Sequence, residues 1–155
     1  HTLDLLLQWM GKPETAEASM CNHHLKGITE VEDTLEAYMT FSKGKDPVSA
    51  SFYATTAYAA DAPVFLELAC ENGFVSLKGN TVSWQTGKQE EPVYWQAPRA
   101  KASGKTYWGC GHEACIRDFY DCLATGKEYR SSLASTENTF NTVMDIYESA
   151  RYEER

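Results

Sequence analysis

His1 and Asp4 stand three residues apart at the head of the chain. If residues 1–11 are a helix, both side chains lie on one face. Imidazole accepts a proton near neutral pH, so His1 is a candidate general acid/base, with Asp4 beside it as a second candidate. His1 can equally be the first residue of a helix and nothing more. A second group, Cys110-x-His112-x-x-Cys115 with Cys122, offers soft and borderline metal ligands. Its spacing matches no standard zinc motif, and Cys115 and Cys122 fall on the apolar stripe of a helix, so no metal site is expected. Tyr94, Trp95, Tyr107 and Trp108 cluster in a polar stretch, where flat rings either stack on a sugar or pack the chain down. Asp33 falls among apolar positions; a buried carboxylate needs donors, which predicts a structural contact and leaves a substrate role as the alternative. His23 and His24 sit at a strand end, exposed.

Residues 1–11 read as a helix closed by Gly11 and stopped by Pro13. Leu3, Leu6, Leu7 and Met10 form its main stripe, while Leu5 and Trp9 make other faces apolar too, so it needs cover on most sides. It starts without a cap, and the expectation is that something precedes it. Residues 15–24 are a plausible strand. From Glu30 the chain alternates, with Val31, Asp33, Leu35, Ala37, Met39 and Phe41 on one face and Tyr38 on the other. A turn at 43–47 leads to a second strand from Val48. Strands at 64–70, 74–79 and 81–87 follow, with Asn72-Gly73 and Gly79-Asn80 between them as hairpin signals. Residues 88–109 read as a long loop with an edge strand.

Two helices close the chain. One buries Cys115, Ile116, Phe119, Cys122 and Leu123. The other, capped by Ser135, buries Phe140, Val143, Met144 and Tyr147. The predicted fold class is α+β: one domain over 1–155, an open and mainly antiparallel sheet with helices packed on one face. Tyr38, Phe52, Tyr53 and Trp84 are then available on the other face, which is either solvated or a homo-oligomer surface.

Composition excludes several classes. The chain has 155 residues, 43% of them hydrophobic, enough for a sizeable core. A net charge of −8, without basic clusters, speaks against nucleic acid. No apolar run approaches the ~20 residues that cross a bilayer, and no signal-peptide pattern opens the chain. Five cysteines, an odd number in a chain too long to need stapling, predict a reducing cytoplasm and mostly buried thiols.

Four segments, in order, resemble the C-terminal domain of Gfo/Idh/MocA-type oxidoreductases. HTLDLLLQWMGKPE is similar to that family's helix ending an Asp-x-x-x-His signature. EVEDTLEAYMTFSKG resembles its first long strand. GHEACIRDFYDCLATGKE and STENTFNTVMDIYESAR resemble its closing helices. The resemblance implies a parent enzyme whose N-terminal Rossmann domain, absent here, binds NAD or NADP. It also implies a sugar or cyclitol secondary alcohol as substrate, His1 as acid/base with Asp4 as the next signature residue, and a sheet that lines the substrate cleft and builds the oligomer. The signature Asp and the family lysine would lie before His1. No G-x-G-x-x-G occurs in the chain, so by itself it is expected to bind no dinucleotide. Two alternatives stay open: a non-catalytic binding or assembly module of the same fold, and a relative that uses NAD transiently for glycoside cleavage.

Overall fold

The computed structural model describes residues 1–60, 62–96 and 111–152, and of Arg151 and Tyr152 only the backbone. The chain forms two compact units, His1–Pro63 with Thr136–Arg155, and Val64–Ser135.

The first unit opens with α1 (Thr2–Met10), whose last turn closes where the Gly11 N–H donates to the Leu7 carbonyl at 2.7 Å. Three strands follow: β1 (Thr15–Cys21), β2 (Thr34–Lys43) and β3 (Asp46–Thr55). β2 lies between the other two and is antiparallel to both, with Met20 opposite Leu35 and Ala37 opposite Phe52. The short β8 (Arg151–Tyr152) adds in parallel to the far side of β1.

Alternation along β2 sets the core. Leu35, Ala37, Met39 and Phe41 are buried, whereas Glu36 and Tyr38 between them are exposed. Leu3, Leu6 and Leu7 of α1, Met20 of β1 and Ile146 of α3 (Leu133–Ser149) are buried in the same unit. Each large apolar side chain so enclosed contributes about 1.5–3 kcal/mol. The β2–β3 hairpin turns through Gly44 at φ +75°, the left-handed conformation its tight turn requires. Pro47 is tolerated within β3 because that strand is the sheet edge and one of its sides needs no donor.

In the second unit β4 (Phe65–Cys70), β5 (Gly73–Lys78), β6 (Thr81–Thr86) and β7 (Val93–Gln96) form an antiparallel meander in chain order. Gly73 is obligatory there: a Cβ would meet the Gln85 carbonyl oxygen at 1.9 Å. α2 (His112–Thr125) ends at Gly126. No helix among the described residues is long and apolar enough to cross a membrane.

The α+β class and the mainly antiparallel pairing are as expected, and the edge strand in residues 88–109 is β7. Several details differ. The strands form two four-stranded sheets instead of one. β2 begins at Thr34, not Glu30, and Val31 is 58% exposed, because Asp33 turns inward to bind the loop before it. Phe52 is on the inner side of β3, paired with buried Ala37, and Trp84 belongs to the second sheet. The four aromatics named for the outer face therefore do not share one.

The helix stripes differ most. On α3, Phe140, Met144 and Tyr147 are exposed, while Thr142 and Ile146 are buried. A bond from Thr139 to Asp4 of α1 sets that rotation. On α2 only Cys122 is buried; Ile116, Phe119 and Leu123 are exposed. The cap of α3 is Ser132 instead of Ser135: its Oγ accepts the Ser135 N–H at 3.3 Å, so the helix starts earlier.

Candidate functional site

His1 occupies the N-cap position of α1, exposed, its carbonyl accepting the Leu5 N–H at 3.0 Å and its side chain making no cap bond. The imidazole is thus not committed to holding the helix end. Asp4, one turn on, is committed. Its Oδ1 accepts the Thr139 hydroxyl at 2.6 Å and its Oδ2 accepts the Gln8 amide at 2.9 Å. Thr139 lies on α3, so this carboxylate ties α1 to α3 and fixes the direction in which the head of α1 points. The two residues share a helix, yet their surroundings suit different tasks.

Asp33 is the most elaborately bonded side chain of the unit. Just 3% exposed, it accepts the backbone N–H groups of His23 (3.0 Å), His24 (2.6 Å) and Leu25 (2.9 Å) and the Thr34 hydroxyl (2.9 Å). Burial alone would raise this carboxyl, but the three backbone donors and Thr34 outweigh it and hold it far below the usual carboxylate range. The Thr34 proton goes to Asp33, so in its 2.8 Å bond with Thr55 the Thr55 hydroxyl donates. Thr55 Oγ1 in turn accepts the Ala57 N–H at 3.0 Å. The predicted structural role holds in kind, with a loop and not a helix terminus as the partner.

This network borders a cavity of about 380 Å³. Leu3, Leu35, Phe52 and Ile146 supply apolar walls, and Thr55 and Thr56 stand at its polar side. At its edge the Tyr147 hydroxyl donates to Glu32 Oε1 at 2.6 Å, a bond that pushes the phenol up to about 12. Thr55, Thr56 and Tyr147 are not among the residues the sequence points to: Tyr147 is expected on a buried stripe, and the threonine run at a strand end is their only signal.

Tyr94 and Trp95 fall on β7 in the second unit, 68% and 55% exposed. As consecutive strand residues they point to opposite faces, so a single ring cannot stack on both. Tyr107 and Trp108 lie outside the described residues, as does Cys110. Cys115 Sγ is 2.9 Å from the Tyr129 hydroxyl, and Cys122 is buried with Sγ 3.9 Å from Asp118. Of the four described cysteines only Cys122 is buried, so thiols are less enclosed than predicted. No three His, Cys, Asp or Glu side chains among the described residues gather as a metal site.

The described chain offers no cradle for a dinucleotide. Such a cradle needs a strand passing through a glycine-rich turn directly into a helix. Among the described residues no strand passes through a glycine-rich turn directly into a helix, and parallel pairing is confined to the two-residue β8 and the isolated bridge of Lys26 with Thr29.

Neither a family model nor a curated protein matches the sequence. Solved structures do. UDP-N-acetylglucosamine 3-dehydrogenase of Acidithiobacillus ferrooxidans aligns over 97% of this chain and 45% of its own, at TM-score 0.73 and 18% identity. An oxidoreductase of Sinorhizobium meliloti aligns over 89% and 44%, at 0.61 and 13%. Biliverdin reductase of Synechocystis, solved with biliverdin and NADP+, aligns over 96% and 44%, at 0.61 and 11%. The chain thus spans about half the length of the structures it matches. It has the α+β fold of the C-terminal domain of Gfo/Idh/MocA-type oxidoreductases.

Proposed function

We propose that this chain is the substrate-side, C-terminal domain of a cytoplasmic NAD(P)-dependent oxidoreductase that acts on a secondary alcohol of a sugar or cyclitol. The observation that carries the reading is the coverage: nearly all of this chain aligns with under half of enzymes whose names are oxidoreductases. The remaining half of such a parent would be a Rossmann domain, which would hold the nicotinamide cofactor. This chain's own residues are not proposed to hold that cofactor.

What this chain contributes is proton handling and position. His1 accepts the hydroxyl proton of the substrate, its ring left uncommitted at the head of α1. Asp4 is a positioning residue that acts through its bonds to Thr139 and Gln8. The exposed aromatics of β7 are candidate sugar contacts, one ring at a time. A named sugar dehydrogenase among the similar structures favours the sugar class. The reading is tested by measuring nicotinamide reduction by the longer protein with a panel of sugars and cyclitols.

Exposed apolar side chains on Phe140, Met144, Ile116 and Leu123 support the view that other protein surfaces cover parts of this domain. For a homo-oligomer the outer face of the first sheet is the surface proposed. Tyr38 and Tyr53 are diagonal neighbours on it, 50% and 55% exposed. Sedimentation at high micromolar concentration is expected to show self-association that a Tyr38→Glu, Tyr53→Glu double variant abolishes. A clean monomer would remove the sheet-face assembly from the proposal.

A further inference from the structure

We propose that Cys21 and His23 form a thiol–imidazole pair through which Cys21 takes up low-molecular-weight disulfides as a reversible modification site. Cys21 is the last residue of β1, half-buried, with Sγ 3.1 Å from Nε2 of the exposed His23. With the ring proton on Nδ1, Nε2 is the acceptor and the thiol the donor. Both backbones are fixed independently of that contact. The Asp33 N–H donates to the Cys21 carbonyl at 3.2 Å, and the Asp33 carboxylate takes the His23, His24 and Leu25 N–H groups. The imidazole is therefore delivered beside the sulfur by a buried clamp, the arrangement in which a neighbouring base activates a cysteine.

The other described cysteines lack such a base. Cys70 is exposed, its sulfur only 4.0 Å from the Leu68 carbonyl, and Cys115 pairs with the Tyr129 phenol. Burial and the nearby Asp118 push the Cys122 thiol up, which leaves it inert.

The exchange balances as follows. His23 Nε2 takes the thiol proton while Cys21 Sγ attacks one sulfur of R–S–S–R. A new S–S bond forms, the old one breaks, and the departing thiolate recovers the proton from the imidazolium as R–SH. Cys21 is oxidised, and the small disulfide is the oxidant.

The test uses the whole chain with oxidised glutathione at pH 7.4, each cysteine followed by peptide mass spectrometry over time. Cys21 is expected to react about ten-fold faster than Cys70 or Cys115 in the same molecule. His23→Gln should cut the Cys21 rate about ten-fold and leave the Cys70 rate unchanged, whereas His24→Gln changes neither. Should His23→Gln unfold, the comparison of Cys21 with Cys70 in the unaltered chain decides alone. A Cys21 rate no higher than that of Cys70, or one unaffected by His23→Gln in a folded variant, overturns the proposal.

Discussion

Replacing His1 with alanine in the longer protein that carries this chain is expected to lower kcat by about 10²–10⁴-fold, with KM changed only a few-fold. The size follows from losing a positioned proton acceptor while the binding surface stays in place. The pH profile separates this from simple damage. A histidine base must be neutral to work, so the acid limb of the unaltered enzyme's pH profile is expected to disappear in the variant. Asp4→Asn gives a contrasting pattern. It keeps a carbonyl to accept from Thr139, so activity falls far less than in His1→Ala and the acid limb persists. A His1→Ala enzyme with full activity would assign His1 to the helix end alone.

The largest stability effect is expected at Asp33. Replacement by alanine leaves three backbone N–H groups and the Thr34 hydroxyl without their acceptor in a buried place. The melting temperature should fall by on the order of 10 °C. The dependence on pH has a definite sign. The folded carboxyl is held below its ordinary value of 3.8, so the unfolded chain binds the proton more readily. The stabilisation is complete above that value and is lost as pH falls below it. Melting curves recorded from pH 6 down to pH 2 should therefore be steeper for the unaltered chain than for Asp33→Asn, which has no proton to take up. Parallel curves would mean that Asp33 does not hold the 22–25 loop as a carboxylate.

Much of the fold is legible in the residues, and the reason is periodicity. Leu35, Ala37, Met39 and Phe41 alternate with polar residues, and such a pattern has one reading wherever one side is enclosed. Gly44 and Gly73 mark hairpins because few other residues fit their backbone or their neighbours. The helices show the limit of the same logic. An apolar stripe on α3 is plain in the sequence, yet Phe140 and Met144 face out while Thr142 is sealed in. Periodicity tells that a face is apolar; a polar tether between distant residues, Thr139 to Asp4, decides how the helix is turned. Division of the strands into two sheets is likewise hidden, since a meander reads the same whether or not its neighbour pairs with it.

The candidate site was legible in part. His1 and Asp4 stand out by type and spacing, but their different duties follow from bonds to residues 135 positions away in the Asp4 case. Asp33 was conspicuous as a carboxylate among apolar residues, and its partners were not, because backbone donors leave no mark on the sequence. The pairing of Cys21 with His23 is of the same kind: two residues apart in the chain, they meet only because Asp33 folds the loop between them.

The most direct test of the central reading is absorbance at 340 nm from the longer protein, supplied with NAD+ or NADP+ and a panel of sugar nucleotides, free sugars and cyclitols. Net, stoichiometric reduction of the nicotinamide with at least one of them is expected, slowed about 10²–10⁴-fold by His1→Ala. Cleavage of a glycoside without net reduction, or no turnover with any member of the panel by a folded protein that binds the dinucleotide, would contradict it.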